Sequence, residues 1–291
     1  MARGFVTQYT ILGHSASFAS SGPPCLFFFL IPIVLVMFLH ALLNHSCCLL
    51  GKHPSSPRTM NEQQTNTYRA MISQIETMLR SAPQNWTSYL PSARALMQAM
   101  DAGAPLALSD RTHFVFVLQE LGFVDVDRGG DTHTTRWCHG QWLAMLSQRP
   151  NSAAVLRGLG TYWLYRAQPS LGRIHAEESS SSSGSSLGAA STGDARLHGA
   201  NYVEARGLLT PAIDYFSRAV QAAHAEGSLT GELLEKAAEA YMSLGNVTYS
   251  RHNRQYFVQA ISYLRTATNL PGHRLPEHLQ QYLDEYGPLV E

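Results

Sequence analysis

Leu244-Gly245-Asn246-Val247-Thr248-Tyr249, followed by Phe257-Val258-Gln259-Ala260-Ile261-Ser262-Tyr263-Leu264-Arg265-Thr266-Ala267 and then Leu270-Pro271-Gly272, reads as two helices packed face to face. Tyr241, Leu244, Gly245 and Tyr249 are expected in the first helix, and Ala260, Leu264, Ala267 and Pro271 in and after the second. Gly245 and Ala260 are small where two helices would cross, so the backbones can approach while Tyr241, Leu244 and Leu264 fill the gap on either side.

The spacing recurs upstream. Cys138, Trp142 and Met145 stand at the offsets of a second helix closed by Pro150, and Leu156, Leu159-Gly160 and Trp163 then repeat the bulky, Leu-Gly, aromatic order in register. A partner helix is expected near Pro169, with Gly172 and Ala176 on the crossing face. Gly199 and Tyr202 open another unit, whose second helix would run Pro211–Ala219 with Ala212, Phe216 and Ala219 inward. Gly227 ends it, and Thr230 caps the helix carrying Leu233, Leu234, Ala237 and Tyr241. Beyond the opening stretch, residues 275–290 place Leu279, Tyr282, Leu283 and Tyr286 on one face, as a terminal capping helix would.

These residues, over about 135–290, resemble the tetratricopeptide repeat family in their order and spacing. The resemblance implies an all-α chain, an array of α-α hairpins (an α-solenoid), with extra N-terminal helices in 60–134. The units are not uniform: residues 177–195 form a polar insertion beginning EESSSSSGSSLGAASTGD, and His198 stands where Leu is usual. The insertion holds too few apolar groups to offset the entropy of ordering it, which reads as a flexible linker. An ordinary helical domain without true repeats is the other reading of the same Ala, Gly and aromatic positions.

In this family the first helices of successive units line a concave groove in which partner peptides lie. The resemblance therefore makes Arg157, Thr161, Arg196, Ala200, Met242, Asn246 and Tyr249 the groove candidates. Arg157 and Arg196 with Asn246 offer paired donors that suit a carboxylate, against the plainer fate of solvated surface charges. Chaperone-binding members carry a Lys/Asn/Lys/Arg clamp, and this sequence lacks lysines at the matching positions. The implied function is a non-enzymatic adaptor or scaffold with a protein or peptide partner. A membrane-anchored assembly subunit and an enzyme of unrecognised type are the alternatives.

Further out, the chain is N-terminally apolar. Pro24–Leu43 holds no charge over the length a helix needs to cross a bilayer, so residues 24–43 read as a single transmembrane anchor. Residues 1–59 carry Arg3, Lys52 and Arg58 and no acid, and the flanking charges favour a cytoplasmic C-terminal side. Cys47 and Cys48 would then be palmitoylation candidates. Equally, Met60 opens a polar stretch suited to start a soluble protein, in which case 1–59 is an extension from a mistaken start. Either way the domain is expected in the cytoplasm.

Between these parts, helices are expected over Thr65–Arg80, Ser92–Met100 and His113–Leu121, the last capped by Ser109-Asp110. Asp125–Thr134 is expected to be a Gly-rich loop. Its Asp125, Asp127, Asp131 and His133 lack the ligand order of a calcium loop. His133 with His139, and His273 with His278, miss the i, i+4 spacing of helix-borne zinc ligands. With no phosphate loop, nucleophile elbow, HExxH or dinucleotide turn, neither metal nor cofactor is expected. The balance of 21 bases and 21 acids argues against a nucleic-acid binder. Four cysteines without a CxxC pair favour a reducing compartment. The Asn85 and Asn246 sequons read as incidental.

Overall fold

The computed structural model describes residues 57–103, 106–181 and 195–290. Among them every regular element is helical: α1 (Pro57–Ser81), α2 (Leu90–Asp101), α3 (Leu108–Gly122), α4 (Thr132–Gln148), α5 (Ala153–Ser181), α6 (Ala200–Glu226), α7 (Gly231–Asn246), α8 (Ser250–Thr268) and α9 (Glu277–Tyr286). Short 3-10 turns occupy Pro83–Tyr89, Val126–Arg128 and Gly287–Val290. Gln64–Glu291 belong to one compact unit, which holds α2–α9 and α1 from Gln64 onward.

Local chemistry explains the ends of these helices. Asp131 caps α4, accepting the Thr134 N–H at 2.9 Å and the Thr134 hydroxyl at 2.6 Å. Thr230 caps α7 through the Leu233 N–H. At the end of α6, Gly227 adopts φ +66°, and the Ser228 N–H reaches back to the Ala223 carbonyl at 2.9 Å, which satisfies a carbonyl the helix leaves open.

Helices pack against their chain neighbours as hairpins: α3 with α4, α5 with α6, α7 with α8. In addition α3 touches α5 and α5 touches α7, so the first helices of three successive hairpins are neighbours. Their apolar faces build two cores. The first joins Ile72 and Ile75 of α1 and Leu96 of α2 to Leu118, Trp142 and, from α5, Val155 and Leu159. The second takes Leu156 and Leu164 from the same α5 and extends through Phe216, Leu234 and Leu264 to Leu279.

Close approach is achieved by glycine. A Cβ on Gly158 would lie 2.5 Å from the Trp142 ring, one on Gly160 2.9 Å from Phe216, and one on Gly245 2.7 Å from Phe257. A buried polar side chain, Gln119, bridges these helices: its amide donates to the Gly158 carbonyl at 3.1 Å and accepts from the Trp142 indole at 2.8 Å, so α3, α4 and α5 share one satisfied network.

Several expectations are corrected. No break occurs at Pro169 or Pro211: both lie inside the continuous helices α5 and α6. Gly172 and Ala176 are exposed, while Ser170 and Ile174 face inward. Glu177–Ser181 continue α5 and so do not belong to a linker, while residues 182–194 lie outside the described residues. Ser109 and Asp110 sit in the first turn of α3, and Ala107 is its N-cap; Asp110 instead pairs with Arg69 of α1. Tyr249 lies beyond the end of α7, as the N-cap of α8. Among the described residues no helix is long and apolar enough to cross a membrane, and residues 24–43 lie outside them.

Candidate functional site

The side-by-side first helices α3, α5 and α7 carry a run of charged and aromatic side chains. The Arg157 guanidinium of α5 lies 4.9 Å from the Phe116 ring of α3 and 3.3 Å from the Glu232 carboxylate of α7. Arg157 is 28% exposed and Glu232 72%, so this pair is open to solvent on one side. The Arg157 Nε is buried and has no hydrogen-bond partner among the described residues. One turn on, Lys236 donates to Glu239 at 2.8 Å.

Electrostatics tie these groups together. Glu120 of α3 is exposed in accessible area, yet crowding by surrounding protein is the first cause that pushes its carboxyl above the usual range; Arg157 opposes the shift, and Glu76 adds to it. For Lys236, burial works against the charge, but Glu239, the Tyr165 phenol and Glu235 outweigh it and hold its pKa up. Burial likewise works against Glu239, and His278 and Lys236 outweigh it, so its carboxyl is held down. His278 stands 3.9 Å from Glu239, an electrostatic distance longer than a hydrogen bond. His273 bonds Glu235 at 2.9 Å, with its ring seated on Gly231, where a Cβ would lie 2.2 Å away.

The structure separates the groove candidates. Arg157 lies on the α3–α5–α7 face. Thr161 is 4% exposed and Met242 1%: both are buried in the helix packing and neither presents its side chain to a partner. The assumed frame fails there because the helical period turns those two positions toward neighbouring helices. Arg196, Ala200 and Asn246 are exposed and Tyr249 half-buried, at the far end of α7.

At that end a second arrangement forms around Tyr249. Its hydroxyl is 3.1 Å from His198 Nδ1, and the guanidiniums of Arg206 and Arg251 lie 5.4 and 5.9 Å from its ring centroid. Arg206 of α6 donates to the Val247 carbonyl at 2.7 Å and to the Leu197 carbonyl at 2.8 Å, which fastens the turns before α6 and after α7 to one another.

Sequence reasoning missed Glu120, Glu232, Lys236, Glu239 and Arg206. For α7 a signal existed, since Glu232, Lys236 and Glu239 recur at helical spacing beside the apolar set. For Arg206 none did, because its partners are backbone carbonyls. Among the described residues no group of His, Cys, Asp or Glu is arranged to hold a metal. Asp131 is committed to its cap and Asp125 lies 3.6 Å from Arg128. Comparison of the chain with protein-family models, with curated proteins and with solved structures returns no match.

Proposed function

We propose that this chain is a non-enzymatic adaptor or scaffold, built of tetratricopeptide-like helical hairpins, that takes up a protein or peptide segment on the face formed by α3, α5 and α7. The observation that carries the reading is the contact of α3 with α5 and of α5 with α7, which lays three first helices side by side. Hairpin arrays that do this present one continuous surface, and in this chain that surface keeps charged side chains within reach of solvent: Glu120, Arg157, Glu232 and Lys236. Supporting it further, the charges are spaced along a rigid helical frame, so a partner would meet groups already ordered by packing, at little conformational cost on their side.

The test is affinity capture of the full-length chain, with its partners quantified by mass spectrometry, against a variant carrying Glu120→Lys and Glu232→Lys. Both positions are exposed, so the fold is expected to survive. Specific partners should drop out while the variant still unfolds in one cooperative thermal transition. A partner set identical to wild type from a variant that folds in this way would remove this face from consideration.

A further inference from the structure

We infer that the Tyr249 end of the molecule is a second interaction surface, distinct from the α3–α5–α7 face, and that it receives an acidic protein segment. Arg251, beside Tyr249, Arg254 one turn further along α8, and Arg196, two residues before His198, are all exposed, and none has a carboxylate partner among the described residues. Arg251 and Arg254 fall three apart on α8 and share a face. The two chain segments that build this end, 195–199 and 246–254, contain no Asp or Glu. The acids nearest along the α5/α6 hairpin are engaged elsewhere: Glu204 with Arg173, Glu177 with Asn201, and Glu178 with the Tyr202 hydroxyl.

The surface is also preorganised. Arg206 commits its donors to the Val247 and Leu197 carbonyls, so it holds the two turns and leaves partner contact to the outer arginines. Tyr249 is held by the Arg206 and Arg251 guanidiniums over its ring and by its hydroxyl on His198, giving an aromatic side chain flanked by two cations. The first turn of α8 holds no acid, and its N-cap offers no side-chain acceptor, so the helix end adds to the positive field. Charge complementarity therefore selects a carboxylate-rich segment, with arginines supplying paired donors. A nucleic acid would engage a longer basic track than these few arginines on a chain of zero net charge.

The experiment is fluorescence anisotropy with the full-length chain, using a fluorescein-labelled glutamate-rich peptide and its glutamine counterpart as probes. The glutamate peptide should bind with affinity that falls as salt rises, and the glutamine peptide should not. Reversing Arg251→Glu and Arg254→Glu together should weaken binding by about tenfold or more. Arg149→Glu, an exposed arginine after α4, should leave binding unchanged. Superimposable thermal melts establish that the variants fold, and if the reversal lowers the melt, Arg251→Gln with Arg254→Gln gives the same reading. Absence of binding, an equal loss for Arg149→Glu, or tighter binding of single-stranded RNA or of phosphatidylserine vesicles through the same arginines would overturn the assignment.

Discussion

At the scale of single residues, two kinds of glycine are distinguished by what surrounds them. Gly158 has the Trp142 ring where a Cβ would go, so Gly158→Ala forces that ring, its bond to Gln119 and hence the α3–α4–α5 junction to shift. A loss of about 1–3 kcal/mol in denaturant unfolding is expected, the ordinary cost of overpacking. Gly207 lies in α6 with nothing within 4 Å of a Cβ, and Gly207→Ala should stabilise by roughly 0.5–1 kcal/mol, since only the backbone entropy term remains. Equal effects of the two substitutions would contradict this difference in packing. Glu120 supplies a charge test. Its raised carboxyl pKa means that its contribution to stability is fully present below the unfolded carboxylate range and is lost as pH rises through the folded value. Glu120→Gln, which cannot ionise, should therefore be more stable than wild type at neutral pH, and the difference should vanish in acid. A gain that persisted in acid would show packing, not charge, to be its source.

At the scale of elements, caps and interruptions carry the information. Burial works against the Asp131 charge, but the Thr134 hydroxyl and N–H, with Arg94, outweigh it and hold the carboxyl below its usual range. A depressed folded pKa gives stability that is present above the unfolded value and lost as pH falls through the folded one. Asp131→Ala should thus cost about 1 kcal/mol at neutral pH, with the wild-type and variant stabilities converging in acid; urea titrations across pH would reveal it. Caps of this kind were readable at Thr230 and Gly227, because one side chain or one positive φ decides them. The Asp131 cap was hidden by its neighbours, since DVDRGGDTHT reads as loop until the chain is seen to turn at Gly130, whose Cβ would meet the Gly122 carbonyl. Pro169 and Pro211 misled for another reason. Each forfeits one intrahelical hydrogen bond, but α5 and α6 are held together on both sides of them, by Gly160 against Phe216 and by Arg173 with Glu204 and Tyr202 with Glu178. Tertiary packing outweighs the local penalty, and no window of sequence contains that contact.

At the scale of the whole molecule, α5 is the element on which both cores depend. Val155 and Leu159 point into the core shared with α1–α4, and Leu156 and Leu164, on the other side of the same helix, into the core shared with α6–α9. The helical character of the chain and most of its inward positions followed from apolar spacing, but this sharing did not, because 3.6-residue periodicity gives the face of a helix and not the identity of its neighbours. The groove candidates behave similarly: spacing placed Arg157 and Tyr249 in one frame, whereas α7 ends at Asn246 and leaves Tyr249 beyond it, away from the α3–α5–α7 face. If α5 is the coupling element, destabilisation should spread according to where it begins. Leu264→Ala removes a fully buried side chain of α8, far from the first core, at about 2–5 kcal/mol. Amide exchange followed by mass spectrometry should then quicken in α7, α8 and α9 and stay near wild type in α1–α4. Leu159→Ala, of similar cost but placed on α5, should quicken exchange in both halves, and with it in the α3–α5–α7 face, so that binding of the partner proposed for that face should weaken in parallel. Uniform quickening by Leu264→Ala would mean that the unit opens as one cooperative body, with α5 no more a coupling element than any other helix.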